Sequence, residues 1–143
     1  QIVSQLSFYN VRGFQLLGNS NWHDPDILVK HRDLLTGAIF VDGYLSYGIN
    51  KETEAFTDHF YTVYGREPDA LGAYAYDAMT LILDKIHKKD ASISREQLKA
   101  ELAEVKSYPG VSGSITMTAQ RIMDSEPLLI MLMNGERVRI TEP

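Results

Sequence analysis

Short apolar runs alternate with helical patterns along the chain, and this alternation limits the possible folds more than any other feature of the sequence. The run 38–41, Ala-Ile-Phe-Val, is typical of a buried strand because it is short, apolar and rich in strand-forming residues. A similar run at 14–17 precedes it, and helical periodicity follows over 51–64 and 71–86. Buried strands that alternate with helices predict an α/β fold with a doubly wound sheet.

The strands that alternate with helices are too few for a complete sheet. A doubly wound domain of this length would offer about five of them. Later strand candidates lie at 114–117, 128–133 and 138–140, and Asn134-Gly135 predicts a tight hairpin between the last two. The chain also begins without Met or a signal-like apolar run. We therefore expect a piece of a longer protein, with part of the sheet outside it.

Composition excludes several classes of function. Fourteen basic and nineteen acidic residues give a formal charge of −5, which argues against a nucleic-acid partner because such binding needs a basic surface. Cysteine is absent, which excludes disulfides, thiolate metal sites and cysteine nucleophiles in this segment. The longest apolar stretch, 128–133, is far shorter than the roughly 20 residues of a membrane-spanning helix.

Motifs for catalysis are weak. His23, Asp24, Asp26 and His31 form a small cluster, but their spacing matches no zinc motif, and capping by Asp24 with surface histidines is the simpler explanation. The serines lack a Gly-x-Ser-x-Gly elbow, and no glycine-rich phosphate loop is present. We therefore predict no catalytic residue, no metal site and no cofactor, and the protein is not expected to be an enzyme.

Several short motifs, taken in order, resemble the second half of type I periplasmic substrate-binding proteins. They are Leu16-Leu17-Gly18, Trp22, Asp24-Pro25, the run 37–43, Phe56, Phe60, the run 64–69, the run 75–78, the run 108–115 and Asn134-Gly135. The chain is most similar to the branched-chain amino-acid receptors of ABC transport. Within that branch it resembles the lipoproteins known as penicillin-binding protein activators.

The resemblance implies a fold and a division of the chain. The fold has two Rossmann-like, three-layer α/β lobes joined by three crossing segments, with the ligand held in the cleft. This chain would be its C-terminal fragment. Residues 1–41 would end the second lobe and 42–50 would form a crossover or hinge. Residues 51–107 would supply the helical part of the first lobe, and 108–143 would return to the second.

Ligand contacts are expected in two places. Asn19, Ser20, Asn21 and Trp22 follow a strand and would lie at the carboxyl edge of the sheet, where open α/β folds bind ligands. The alternative is a polar turn with Trp22 in the core. The receptors that the chain resembles can place an acidic residue in this loop, whereas the loop here is neutral and would not supply the ion pair that an ammonium group calls for.

The second place is the start of the helix at 71–86. The resemblance puts Leu71 and Tyr74 near the cleft, with plain core packing as the alternative, and it puts Asp42, Gly43 and Tyr44 at the hinge. Tyr76 and Asp77 are expected to be structural, with a buried tyrosine hydroxyl and a carboxylate bonded to a neighbouring loop.

The resemblance implies a binding module for an amino acid or a related small polar solute, located in the periplasm or anchored to the envelope as a lipoprotein, with an ABC permease as partner. The alternative is an envelope lipoprotein domain that regulates a penicillin-binding protein, which is a cell-wall synthase, without transport. Helices around Phe56 and 75–86 would expose apolar surface, so we expect this chain to form a homodimer or to swap segments between copies.

Overall fold

The structure is a computed structural model and describes residues 2–20, 30–89 and 92–141. Its helices are α1 (Ile2–Phe8), α2 (Arg32–Leu35), α3 (Lys51–Tyr64), α4 (Ala70–His87) and α5 (Arg95–Ala103). Its strands are β1 (Leu17–Gly18), β2 (Ile39–Asp42), β3 (Tyr108–Gly110), β4 (Gly113–Met117), β5 (Met123–Ser125), β6 (Leu128–Met133) and β7 (Glu136–Arg139).

The chain divides into two units at two points. The first unit consists of Gln1–Asp42 and Pro127–Pro143, and the second is the continuous segment Gly43–Glu126. The first division falls at the start of the predicted crossover, 42–50. The return was predicted from residue 108, but β3, β4 and β5 form a sheet of their own, and the chain rejoins the first unit only at Pro127. The assignment of these units to lobes stays a prediction.

The first unit is built on a mixed sheet of order β1-β2-β6-β7. β1 pairs with β2 in parallel, whereas β2–β6 and β6–β7 are antiparallel. Along β6 the side chains alternate, with Leu128, Ile130 and Leu132 buried while Leu129 and Met133 are exposed. Because successive strand residues point to opposite faces, this sheet buries one face and presents the other.

The predicted hairpin joins β6 to β7 at Asn134-Gly135. Both residues have positive φ angles, 55° and 85°, as a two-residue type I′ turn requires. Gly135 is also crowded, since a Cβ at this position would lie 2.8 Å from Nε of Arg32. The turn therefore needs glycine for its backbone angle and for its space.

The three helices of the second unit begin at side-chain caps. Asn50 accepts from the amide of Thr53 at 2.7 Å, and Asp69 accepts from the amide of Gly72 at 2.8 Å. Ser94 and Gln97 form a capping box at the start of α5. Each cap satisfies a backbone donor that the first turn of a helix leaves free.

Helix α4 carries its fully buried residues on one side. It buries Ala73, Asp77 and Leu81, which are spaced four residues apart. On another side it exposes Leu71, Ala75, Met79 and Leu83, again spaced by four. These four residues are called the exposed stripe of α4.

Helix α5 lies against α4 through charged contacts. Nζ atoms of Lys85 and Lys89 both lie 3.5 Å from the carboxylate of Glu101. Lys89, and then Lys85, hold the pKa of Glu101 below its ordinary value. After α5, the amide of Met117 donates to the carbonyl of Val105 at 2.9 Å, which ties the end of β4 to the chain that leaves the helix.

The sequence did not predict β3 or β5. Pro109-Gly110 is typical of a turn, but it belongs to β3 at the edge of the sheet β3-β4-β5. Proline has no amide to donate, so an edge strand is where it is tolerated. β5, Met-Asp-Ser, is too short and polar to show an apolar pattern.

Candidate functional site

The first group of predicted contacts lies at one edge of the first unit's sheet. Asn19 and Ser20 directly follow β1 and are exposed. β1 and β2 run in parallel, with Gly18 opposite Phe40, so the residues after β1 lie at the edge where β2 ends in Asp42. Asp42 is buried. Asn21 and Trp22 belong to the same prediction but lie outside the described residues.

The second group lies where α4 begins in the second unit. Leu71 is 76% exposed and Tyr74, one turn later, is 39% exposed, so the alternative of plain core packing is wrong for Leu71. The hydroxyl of Tyr74 occupies the space that a side chain on Gly43 would need. The structure therefore brings together two residues that the sequence predicted for different roles, one as a ligand contact and one in the hinge.

Tyr44, beside Gly43, is held in the core of the second unit. Its ring is buried in a cluster with Phe56, Ala73 and Val111. Its hydroxyl lies 3.2 Å from Oγ1 of Thr57, which donates to the carbonyl of Ser46 at 2.8 Å. Tyr44 and Ser46 belong to the segment 43–50, whereas Thr57 lies on α3. These hydrogen bonds therefore fix the segment to α3.

A second polar cluster fixes the loop after β3. The carboxylate of Asp77 is 1% exposed and accepts from the amide of Val111 at 2.7 Å and from the amide of Ser112 at 2.9 Å. The hydroxyl of Ser112 donates to the same carboxylate at 2.6 Å. Oγ1 of Thr53 donates to the carbonyl of Val111 at 2.7 Å. The loop is thus bonded to both α3 and α4.

The expectation for Asp77 matches this geometry, whereas the expectation for Tyr76 does not. Tyr76 is 47% exposed, so its hydroxyl is not buried in the core. Its ring packs on Phe56 with centroids 4.6 Å apart. Neighbouring helix residues point about 100° apart, so Asp77 and Tyr76 cannot both face the loop.

The sequence did not point to a polar pocket on α3. The pocket holds about 330 Å³ and is lined by Tyr47, Asp58, Tyr61, Thr62 and Glu67. The hydroxyl of Tyr47 donates to Oδ1 of Asp58 at 3.3 Å. Partial removal from water, followed by the charge of Asp58, raises the pKa of the Tyr47 hydroxyl. Asp58 lies on the polar face of α3, where an acidic residue carries no signal in sequence.

Metal-ligating residues are not grouped in the part of the chain that the structure describes. There, no three residues among His, Asp and Glu come close enough to hold a metal ion. Nε2 of His31 lies 3.3 Å from Oγ of Ser4, while His23, Asp24 and Asp26 lie outside the described residues. No described helix is long and apolar enough to cross a membrane.

Solved structures with the same fold are solute receptors. A leucine-binding protein of Thermotoga maritima shares 23% identity with the chain, covers 98% of it and superposes with a TM-score of 0.72. A solute-binding protein of Rhodopseudomonas palustris in complex with benzoate shares 21% identity over 97% of the chain, with a TM-score of 0.72. A branched-chain amino acid substrate-binding protein of Streptococcus pneumoniae in complex with isoleucine shares 20% identity over 97% of the chain, with a TM-score of 0.69.

The chain covers 40%, 38% and 41% of these three structures, respectively. No curated protein sequence matches it. The predicted α/β fold class is confirmed by the superpositions. The sequence profile described as "Periplasmic binding protein" matches residues 1–135, which is most of the chain. The chain therefore belongs to the periplasmic binding protein family.

Proposed function

We propose that the chain is the ligand-binding module of an extracellular solute receptor of the ABC-transport type, and that it takes amino acids or related small polar solutes. The observation that carries this proposal is the start of α4. There, the hydroxyl of the partly exposed Tyr74 lies against Gly43, and exposed Leu71 precedes it by one turn. An apolar surface beside a hydrogen-bonding group is the usual composition of a small-molecule site.

The proposed contacts have a neutral hydrogen-bonding character. Tyr74 and Ser20 carry hydroxyls, Asn19 carries an amide, and Leu71 adds apolar surface. Asn21 and Trp22 remain part of the proposed set. Without a carboxylate among them, these groups would bind the polar and apolar parts of a solute better than an isolated ammonium. The benzoate complex of the Rhodopseudomonas palustris protein is support for including aromatic acids in the solute class.

Asp42, Gly43 and Tyr44 are proposed as the hinge. Hinges are a few residues at the ends of elements that absorb backbone rotation. Asp42 ends β2, and Tyr44 is anchored through Thr57. Gly43, between them, is covered by the Tyr74 hydroxyl, so a ligand that holds Tyr74 would also hold the segment beside it. Tyr74 and Gly43 would therefore couple binding of the solute to the position of the hinge.

The proposal is tested by calorimetric titration of the full-length protein with leucine, isoleucine, other amino acids and benzoate. At least one solute should bind, and Tyr74→Phe should weaken that binding about tenfold because one hydrogen bond to the ligand is lost. Tyr76→Phe is the matched control, because Tyr76 lies on the same helix with similar exposure and keeps its ring contact with Phe56. It should bind as the unaltered protein does.

Absence of heat for the whole panel would contradict the receptor function. Binding that is equal in both tyrosine variants would leave the function standing and remove Tyr74 from the site. The family implies a periplasmic location. A lipid anchor and an ABC permease as partner are further parts of the proposal. The relatives do not favour the cell-wall-synthase alternative, because the solved structures named above are solute receptors.

A further inference from the structure

A groove on α5 combines an apolar floor with a cationic rim. It lies within the second unit and holds about 300 Å³, at the lower end of the range for small-molecule sites. Its floor is formed by Leu98, Leu102, Ala103 and Met117, and its rim by Arg95, Lys99 and Arg121. We call it the α5 groove. None of the residues proposed above as solute contacts belongs to it.

The helical side of the α5 groove is a single face of α5. Arg95, Leu98, Lys99 and Leu102 occupy positions i, i+3, i+4 and i+7, which lie side by side on a helix. Two cations thus flank two half-buried leucines. Among the described residues that line the groove, none is acidic. Glu101 points to another side, where it meets Lys85 of α4 and Lys89, which follows that helix.

The opposite wall is held in place by the loop between β4 and β5. The amide of Arg121 donates to the carbonyl of Thr118 at 2.8 Å, and the amide of Ile122 donates to Oγ1 of Thr118 at 3.1 Å. Arg121 has φ 62°, a left-handed conformation that side-chain-bearing residues adopt at a cost. The hydrogen bonds to Thr118 therefore hold the backbone at Arg121 in a conformation that glycine would adopt more easily. The side chain of Arg121 adds a third cation to the rim.

The groove offers side chains rather than backbone to a ligand. Met117 is paired with Met123 of β5, and its amide donates to Val105. β4 lies in the centre of its sheet, with β3 and β5 on either side, so an extended peptide finds no open edge of β4 to pair with. Affinity must come from apolar contact and from charge. The rim is positively charged, although the net charge of the chain is −5.

We propose that the α5 groove is a second binding site, which takes a small organic anion with an apolar chain, such as a medium-chain carboxylate. Its apolar chain lies on Leu98, Leu102 and Met117, and its carboxylate is held by the rim cations. Charge-assisted hydrogen bonds from arginine and lysine to a carboxylate are among the stronger ones, so charge should select the ligand.

The test uses amide chemical shifts of the isotope-labelled protein titrated with sodium octanoate. Saturable shifts are expected at 95–103 and 117–122. Octylammonium has the same chain with the opposite charge and should bind at least about tenfold more weakly. No saturable shift up to the solubility limit of octanoate, or equal binding of the two ions, would overturn the proposal. Binding of an acidic peptide without binding of octanoate would overturn it in favour of a protein partner.

Two alanines on α5 provide a matched pair of variants. Ala103→Glu places a carboxylate in the groove and should weaken octanoate binding at least about tenfold, because like charges then meet. Ala100 is also exposed on the same helix but does not line the groove. Ala100→Glu makes the same chemical change there and should bind octanoate normally. Equal loss in both variants would refute the assigned site.

Arg121→Gly removes a rim cation while preserving the turn, since glycine adopts positive φ without strain. The variant should fold at least as stably as the unaltered protein and bind octanoate about threefold more weakly, as expected for one exposed charge. Unchanged affinity would exclude Arg121 from the anion's contacts and contradict the proposed cationic rim.

Discussion

Asp77 shows most clearly how one residue organises its surroundings in this protein. Its carboxylate satisfies two backbone amides and one hydroxyl of the loop that follows β3. A Cβ on Gly110 would lie 2.7 Å from the same carboxylate, so the loop approaches it as closely as its backbone allows. Glycine before the loop and aspartate on α4 therefore act as a pair. Together they fix the loop that follows β3 against α4.

We predict that Asp77→Ala lowers the free energy of unfolding by about 3 kcal/mol, because buried donors lose their acceptor. Asp77→Asn should cost less, since one amide oxygen still accepts. Urea unfolding followed by circular dichroism measures both. Asp84→Ala serves as control, because its contact with Lys88 at 3.2 Å is largely exposed and should be worth less than about 0.5 kcal/mol. A cost for Asp77→Ala as small as that of the control would contradict the structural role.

At the residue scale, the sequence predicts the bonding role and charge of a side chain better than it predicts whether that side chain is exposed. The bond from Asp77 to a loop backbone was expected, and so was the neutral character of Asn19 and Ser20. The buried hydroxyl expected for Tyr76 was wrong, and for Leu71 the sequence left cleft contact and core packing open. Whether an apolar residue on an all-apolar helix faces the core depends on what lies beside the helix, and periodicity carries no signal when nearly every side is apolar.

Among the elements, the β6–β7 hairpin depends on its turn. We predict that Gly135→Ala lowers the free energy of unfolding by about 2 kcal/mol, because the left-handed angle and the nearby Arg32 both oppose a side chain. Gly48→Ala is the matched comparison. Gly48 has a similar φ of 80° with nothing within 4 Å of the added carbon, so its cost reports the angle alone and should be about 1 kcal/mol.

Equal losses in the two glycine variants, measured by thermal or urea unfolding, would show that Arg32 moves aside freely. A larger loss for Gly48→Ala would contradict the assignment of crowding to Gly135. The comparison separates backbone strain from packing because the two glycines differ chiefly in their surroundings.

Element boundaries are predictable where a side chain determines them. Asn50, Asp69 and Ser94 start helices by accepting backbone amides, and all three are residue types that are preferred at this position. β3 and β5 were missed for a physical reason as well. Their pairing with β4 is tertiary, and three-residue strands with proline or polar side chains leave no periodic pattern.

At the scale of the whole molecule, the exposed stripe of α4 bears on association. We propose that the chain forms a homodimer through the part of this stripe that lies beyond the proposed solute contact Leu71, since exposed apolar residues at a four-residue spacing can pack against a second helix. Sedimentation at micromolar concentration should show a dimer. Met79→Lys should shift it towards monomer, whereas Thr62→Lys on α3 should not. A monomer for the unaltered chain would refute the prediction, and so would a dimer that is insensitive to Met79→Lys.

The family and the α/β fold could be predicted from the order of short motifs, because that order follows the order of the elements in space. The candidate site could be predicted only in part. Its residues come from segments far apart in sequence, and the contact of Tyr74 with Gly43 spans about thirty positions. The α5 groove was not predicted either, since it joins a helix face to a loop held by Thr118.

The pairing of β2 with β6 constrains the order in which the protein acquires its structure. Ile39 is opposite Met131, with the whole second unit between them in sequence. The second unit is one continuous segment, so it can mature from local contacts as soon as it leaves the ribosome. The sheet of the first unit must wait until the chain has returned, and it bears the entropy of closing that long loop. During synthesis, Ile39–Asp42 therefore presents the edge that later pairs with β6 until Leu128–Met133 has been made, and an open strand edge in this interval favours aggregation.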